Sequence, residues 1–270
     1  MDVYKSINYV KTNGNAIERA RLSTILWDEE PSLEILKNLA LKQNSDGGFS
    51  YWVKEVSNIC DTCYILEWYD DLKVYKGETI DCACNYLLER QQEDGGWDEV
   101  SLVSNYNPPK WMIPGIIQNR VWLTAYCAHI LIRFGYAEAE GTYCPTDFLL
   151  ANCDSSGRFT GYLRATWLAL PMLSFYPGPD PESFNRAVKV IEENFSPDWK
   201  GAYLAWLTRC LKDGGLSPNH KLVIRSLSEL KKKQKLDGSW DPEEGEGEEH
   251  RVNATICVLR SLKEFDALRL

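Results

Sequence analysis

The sequence has no run of the roughly 18 apolar residues that a membrane-crossing helix needs. Its opening stretch, MDVYKSINYVKTNG, lacks the apolar core of a secretory leader. A basic excess is missing too: 30 Lys and Arg stand against 39 Asp and Glu, for a formal net charge of -9. A field of that sign offers nothing to a phosphate backbone or an anionic bilayer, so neither nucleic acid nor an anionic membrane is expected as main partner. Histidine is scarce, with only His129, His220 and His250 present. Disulfide logic is absent as well. The nine cysteines are odd in number and mostly fall inside helical patterns, which fits a reduced, cytoplasmic protein.

What is present is a repeat. The stretches QNSDGGF (43–49), QQEDGGW (91–97) and QKLDGSW (234–240) share the pattern Q-x-x-D-G-G-aromatic, with Ser239 replacing the second Gly in the third. Gln43 and Gln91 are 48 residues apart, and Gln91 and Gln234 are 143 apart, about three such periods. A period in this range signals a repeat architecture. Before each stretch the apolar spacing is helical: Leu33, Ile35, Leu36, Leu39 and Leu41 lead into the first. Lysines before Asp237-Gly238 suit a helix C-terminus, and the glycines suit the left-handed cap beyond it.

After each stretch comes a more apolar helical segment. Residues 57–69, 118–134, 162–176, 200–211 and 250–265 are read this way, with 15–27 as the first of the set. Thr62, Thr124, Thr166 and Thr255 recur near the same place in four of them. Degenerate turns at 152–159 and 194–201 fill the gaps. Because a helix apolar all round is buried, the expected fold is all-α: an α/α toroid of about six hairpins, with outer amphipathic and inner buried helices, in one domain spanning 1–270. Two segments break the period. VSLVSNYNPPKWMIPG (100–115) is a Pro-containing insertion, and DPEEGEGEEHR (241–251) is an acidic loop. Both precede inner helices, so both belong on one rim, where loops carry function; the acidic loop reads more readily as a mobile, solvated segment.

Q-x-x-D-G-x-W after a helix is the QW signature. On it the chain resembles the terpenoid cyclase and protein prenyltransferase superfamily, which includes squalene–hopene and oxidosqualene cyclases and the β subunits of protein farnesyl- and geranylgeranyltransferases. Three signatures match well, two are degenerate, and together they span most of the chain. The resemblance implies an isoprenoid held in an aromatic-lined cavity framed by the inner helices. The signature residues themselves staple turns and do no chemistry.

In the cyclases a D-x-D-D-T stretch supplies the protonating acid from its middle Asp. Here the matching stretch is Asn58-Ile59-Cys60-Asp61-Thr62. Only its last acid, Asp61, remains, and Cys60 stands at the middle position, where a thiol cannot protonate an alkene. The prenyltransferase zinc site pairs D-x-C with a His before the Thr of the next repeat. Asp61-Thr62-Cys63-Tyr64 resembles the first part, but Leu123 occupies the His position. A catalytic zinc usually has three protein ligands plus water, so zinc is not expected and no metal ligand is assigned. Cys60-x-x-Cys63 and Cys82-x-Cys84 allow a redox or metal reading, against small buried side chains in a tight ring.

The candidate catalytic residues are therefore Asp61, as acid or base with a burial-raised pKa, Cys60, and Glu67 as partner carboxylate. Arg120, Arg164 and Arg251 fall near inner-helix N-termini, whose dipoles also favour an anion. They suit a diphosphate, with Mg2+ accompanying it, or simply pair with loop acids. Tyr64, Trp122, Tyr126, Trp167, Tyr203 and Trp206 could line the cavity and face a carbocation, or pack the core. Three functions stay open. One is a cyclase-like or prenyltransferase-like enzyme on a hydrophobic isoprenoid. Another is a non-catalytic toroid binding a hydrophobic ligand, a partner subunit or a second copy. The third is a glycan-active (α/α)6 enzyme with paired carboxylates.

Overall fold

The computed structural model describes residues 1–138, 144–176 and 180–268. Among these there are thirteen α-helices and no strand, only isolated bridges at the turns. The helices come in six consecutive pairs. They are α1 (Val3–Asn13) with α2 (Ala16–Trp27), α3 (Leu33–Ala40) with α4 (Ile59–Asp71), and α5 (Glu78–Leu88) with α6 (Ile117–Phe134). Then come α7 (Pro145–Ala151) with α8 (Leu163–Leu168) and α9 (Leu170–Phe175), α10 (Ser183–Asn194) with α11 (Gly201–Asp213), and α12 (Lys221–Lys232) with α13 (Arg251–Glu264).

The first helix of a pair buries one stripe; the second buries most of its length. On α12 only Leu222, Val223, Ser226 and Leu230 are buried, whereas α6 is buried almost continuously from Val121 to Leu131. The elements α1, α7 and α10 were not read from the sequence as helices. One expected helix, 162–176, is two. Pro171 has no N–H to give the Trp167 carbonyl and its ring crowds that turn, so α8 stops at Leu168 and α9 restarts.

Four turns share one construction. In each, the amide of the signature aromatic donates to a threonine hydroxyl on the following helix: Phe49 to Thr62 (3.0 Å), Trp97 to Thr124 (2.9 Å), Phe159 to Thr166 (3.2 Å) and Trp240 to Thr255 (3.2 Å). The indole N–H groups of Trp97 and Trp240 reach back to the last turn of the preceding helix, at Leu87 O and Leu230 O (2.7 Å each). The signature Gln side chain ties its turn to the next pair. Gln43 Nε2 donates to Gly47 O and to Thr79 O, both at 2.8 Å, while Gln234 Nε2 donates to Asp2 O and Ser6 Oγ on the first helix. The turn at 153–159 keeps this geometry although Cys153 replaces Gln; the segment at 194–201 does not.

The first Gly of each turn has two reasons to be Gly. Gly95 has φ +83°, and a Cβ there would lie 2.6 Å from the Cys144 carbonyl at the start of α7. Gly47, Gly157 and Gly238 repeat the arrangement against Cys82, Arg186 and Lys5.

The chain divides into two compact units: Met1–Leu36, Asp71–Lys73 and Asn194–Leu270 form one; Lys37–Asp70 and Val74–Glu193 form the other. In the first, α13 packs on α11, α2 and α1, over a core that includes Val10, Leu22, Leu26, Ile256 and Leu259. Within that unit the Asp71 carboxylate is fully enclosed. Arg21 binds one oxygen through Nε (3.0 Å) and Nη2 (2.7 Å), and Arg260 Nη1 binds the other (2.7 Å). In the second unit, α6 packs against α5, α7, α8 and α9.

Burial works to raise the Asp71 pKa, but the Arg260, Arg21 and Arg209 guanidinium groups outweigh it and hold the carboxyl at about 2. The folded pKa lies below the unfolded one, so this stabilisation is present above about pH 4 and fades as pH falls toward 2. Asp71→Asn strands two buried arginines and is expected to cost about 3–5 kcal/mol in urea unfolding at neutral pH, with a flatter acid limb than wild type. Gly95→Ala must adopt a left-handed backbone, about 1–2 kcal/mol, and must also push aside the Cys144 backbone. Gly115→Ala, at φ +79° with nothing within 4 Å, carries the conformational cost alone. Urea midpoints should therefore fall further for Gly95→Ala than for Gly115→Ala.

Candidate functional site at the start of α4

Asn58 caps α4. Its Oδ1 accepts the Asp61 amide at 2.8 Å, its Nδ2 donates to Asp61 Oδ2 at 2.6 Å, and its carbonyl accepts the Thr62 hydroxyl at 2.6 Å. Asp61 turns its carboxylate back over the cap. Oδ2 gathers three successive backbone amides, from Tyr51 (2.6 Å), Trp52 (3.0 Å) and Val53 (3.3 Å). The other oxygen, Oδ1, is buried and accepts no hydrogen bond from the described residues. The residue is 0% exposed, and burial raises its pKa against the pull of these hydrogen bonds.

A second carboxylate occupies the same helix end. Glu99, two residues after the signature Trp97, is 6% exposed. Its Oε1 accepts the Ile59 amide (2.8 Å) and its own neighbour Val100 (2.9 Å); its Oε2 accepts the Cys60 amide (3.0 Å). Glu99 thus caps the first two free amides of α4 from 40 residues downstream. Burial pushes it up, the Asp61 charge adds to that, three amides oppose it, and it settles at about 7. The sequence held little to find it by, because no motif singles out an acid at that place.

Cys60 points into the same buried region. Burial first, then the charges of Asp61 and Glu99, keep it a thiol. Cys63 on α4 meets Cys127 on α6, Sγ to Sγ 3.5 Å, with both thiols likewise raised by burial. Among the described residues no group of three or more His, Cys, Asp or Glu side chains is placed to hold a metal ion. His129 is buried on α6, His220 caps α12 through Nδ1, and His250 lies 3.7 Å from Glu249.

The loop pinned by Asp61 carries an aromatic cluster. Tyr51 and Trp52 meet at 5.2 Å, and both meet Tyr64 on α4, at 4.9 and 6.0 Å. Trp68, one turn on, meets Tyr64 at 5.5 Å and Tyr51 at 5.6 Å. Trp111 of the insertion stands edge-on to Trp52 at 6.3 Å and is 37% exposed. Of these rings only Tyr64 was expected. Glu67 is half-buried, and its charge is felt at Cys60, Cys63 and Tyr126. Trp122 and Tyr126 are buried on α6 with rings 5.7 Å apart; the Trp122 indole N–H has no acceptor among the described residues. Trp167 is fully enclosed on α8.

Tyr203 and Trp206 lie half-buried on α11 in the other unit, with Tyr203 edge-on to Trp199 at 5.1 Å. Two of the three arginines hold signature-turn acids. Arg120 binds Asp94 at 2.8 Å and lies 3.9 Å from Asp98; Arg251 pairs with Glu248 and lies 3.7 Å from Asp237 and 3.9 Å from Asp241. Arg164 is half-buried on α8. The structure therefore brings Cys60, Asp61, Tyr64, Glu67 and Tyr126 into one neighbourhood of α4 and α6, and adds Glu99, Trp52, Trp68 and Trp111.

The fold is the all-α, α/α-toroid class of the type II terpene cyclases. The chain is similar to the type II terpene cyclase MstE from Scytonema, at 15% identity over 97% of this chain and 96% of that one, with a TM-score of 0.65. A variant of that cyclase in complex with geranylgeranyl dihydroxybenzoate, its substrate, matches at 15% identity, 98% and 97% coverage, and a TM-score of 0.67. A protein from Actinoplanes matches at 16% identity, 98% coverage of both chains, and a TM-score of 0.65. A family model for the A-macroglobulin TED domain matches residues 26–140. No curated protein matches the chain. No helix among the described residues is long and apolar enough to cross a membrane.

Glu99 has a measurable consequence. Its folded pKa lies above the unfolded value, so its contribution to stability is complete below about pH 4 and is lost as pH rises through about 7. The difference in unfolding free energy between wild type and Glu99→Gln should slope downward across that window. A difference independent of pH between 4 and 7, read from urea midpoints, contradicts the assignment.

Proposed function

We propose that this chain acts on an isoprenoid chain by proton-initiated chemistry, with Asp61 as the acid. The observation that carries the reading is the Asp61 carboxyl: buried, raised in pKa, with one oxygen saturated by four donors and the other bare, beside an aromatic cluster. The likeness of fold to a terpene cyclase supports the substrate class. With Oδ2 occupied, the proton belongs on Oδ1. Transfer to an alkene carbon uses the π pair to form the new C–H bond, leaves a carboxylate on Asp61 and a cation on the adjacent carbon. Aromatic faces attract such a cation, and Tyr64, Trp122, Tyr126 and Trp167 are the rings assigned to it in the same unit. Cys60 stays a neutral thiol at the position of the cyclases' middle acid, so the D-x-D-D pattern is read as reduced to a single acid, with Glu67 as the accompanying carboxylate. Arg164 is the arginine assigned to an anionic head group, with Mg2+ if that group is a diphosphate. Arg120 would have to exchange its acids for it; Arg251, Tyr203 and Trp206 belong to the other unit and are not assigned to this site.

A second reading has its own support. Cys60 and the acid-bound Arg120 and Arg251 favour a non-catalytic protein that binds a hydrophobic ligand. Incubation with geranyl, farnesyl and geranylgeranyl diphosphates and with squalene separates the two. Turnover that drops at least about 100-fold in Asp61→Asn, with folding retained, is the expected result. Thermal stabilisation by one ligand without any product supports the binding reading. Turnover unchanged in Asp61→Asn removes Asp61 from the chemistry.

A further inference from the structure

Asp61 and Glu99 form an unusual pair. Both are buried carboxyl groups at one helix end, and among the described residues neither has a cationic partner. Every buried acid elsewhere that meets an arginine is a contrast: Asp71 has Arg21 and Arg260, and Asp70 has Arg133 at 2.6 Å. The titratable groups facing Glu99 are Asp61, Cys60 and Cys63 on α4, Tyr86 on α5 and Cys127 on α6. All of these are acids. Asp98, whose Oδ1 accepts the Glu99 amide, has Arg120 at 3.9 Å and the Gly115 amide at 3.1 Å. Two negative charges in such a place repel each other with little screening.

The two groups differ in how they are held. Glu99 has amide donors on both oxygens and sits directly on the Cys60 amide at the positive end of α4. Asp61 has all its donors on one oxygen and a bare second oxygen, the arrangement that suits a neutral carboxylic acid. We infer that Glu99 is the positioning residue of the Asp61 site: it clamps the first turn of α4, and its carboxyl group shares one proton with that of Asp61. The pair then holds a single proton through the neutral range, as like carboxyl groups in a shared site do. Its consequence for catalysis rests on the reading of Asp61 as the acid; the sharing of the proton does not need a substrate.

The test is a 13C NMR titration of side-chain carboxyl carbons on the full chain, with the two resonances assigned from Asp61→Asn and Glu99→Gln. In wild type, one proton should persist on the pair at neutral pH, and the Asp61 signal should respond when Glu99 ionises. In Glu99→Gln, Asp61 should lose its proton at lower pH than in wild type. A merely structural Glu99 would lower the melting temperature and leave the Asp61 titration where it was, and that result overturns the inference. Independent ionisation of both groups below neutral pH in wild type overturns it too, and this arm stands even if Glu99→Gln fails to fold. Because no substrate enters the measurement, absent turnover would sink the enzymatic reading without touching the shared proton.

Discussion

The amide of the signature aromatic is the bond on which each repeat turns. It lies at the bottom of a tight loop, buried from water, where an unmet N–H is costly. A threonine hydroxyl on the next helix accepts it in four repeats, and Thr62 and Thr255 pass the hydroxyl proton on to their own helix one turn back. Once that bond is made, the start of the second helix is set against the turn. The tryptophan indole then finds the end of the first helix, and the glycine brings the turn against the next one. Position 58, four residues before Thr62, becomes a cap; the same position is Arg120 and Arg251 in other repeats, where it reaches the signature Asp. One local constraint thus decides what the helix starts can present.

The helix ends also show how surroundings, rather than residue type, set the chemistry of an acid. Asp71 ends α4 among arginines and is held at about 2. Asp61, at the other end of the same helix, meets amides only and is raised by burial. Glu99 receives three amides and still rises to about 7, since amide dipoles compensate a buried charge less fully than a guanidinium does. An acid held down by guanidinium groups and one raised by burial therefore stand on the same helix, in a chain that carries more acids than bases.

The fold was legible in the sequence to an unusual degree, for physical reasons. Helical spacing and a turn that only Gly can make are local properties, so the six buried segments were placed to within two residues or so at each end, apart from the break at Pro171. The recurring threonines were visible as a pattern but not as an acceptor for a particular amide. The helices α1, α7 and α10 escaped because a degenerate signature turn, or none, follows them. Asp61 was singled out because its stretch resembles a known motif. Glu99 was not, because nothing near it in the chain tells of its contact with Ile59 and Cys60.

The sequence by itself determined the repeat, the turns, and the order of amphipathic and buried helices. All follow from interactions within a few residues. Only the tertiary structure decided which acids lie beside cations and which do not, and which rings meet Tyr64. For Glu99 and Asp71 the outcome depends on packing between segments 40 residues or more apart, where burial and the nearest charge, not the residue's own chemistry, set the pKa.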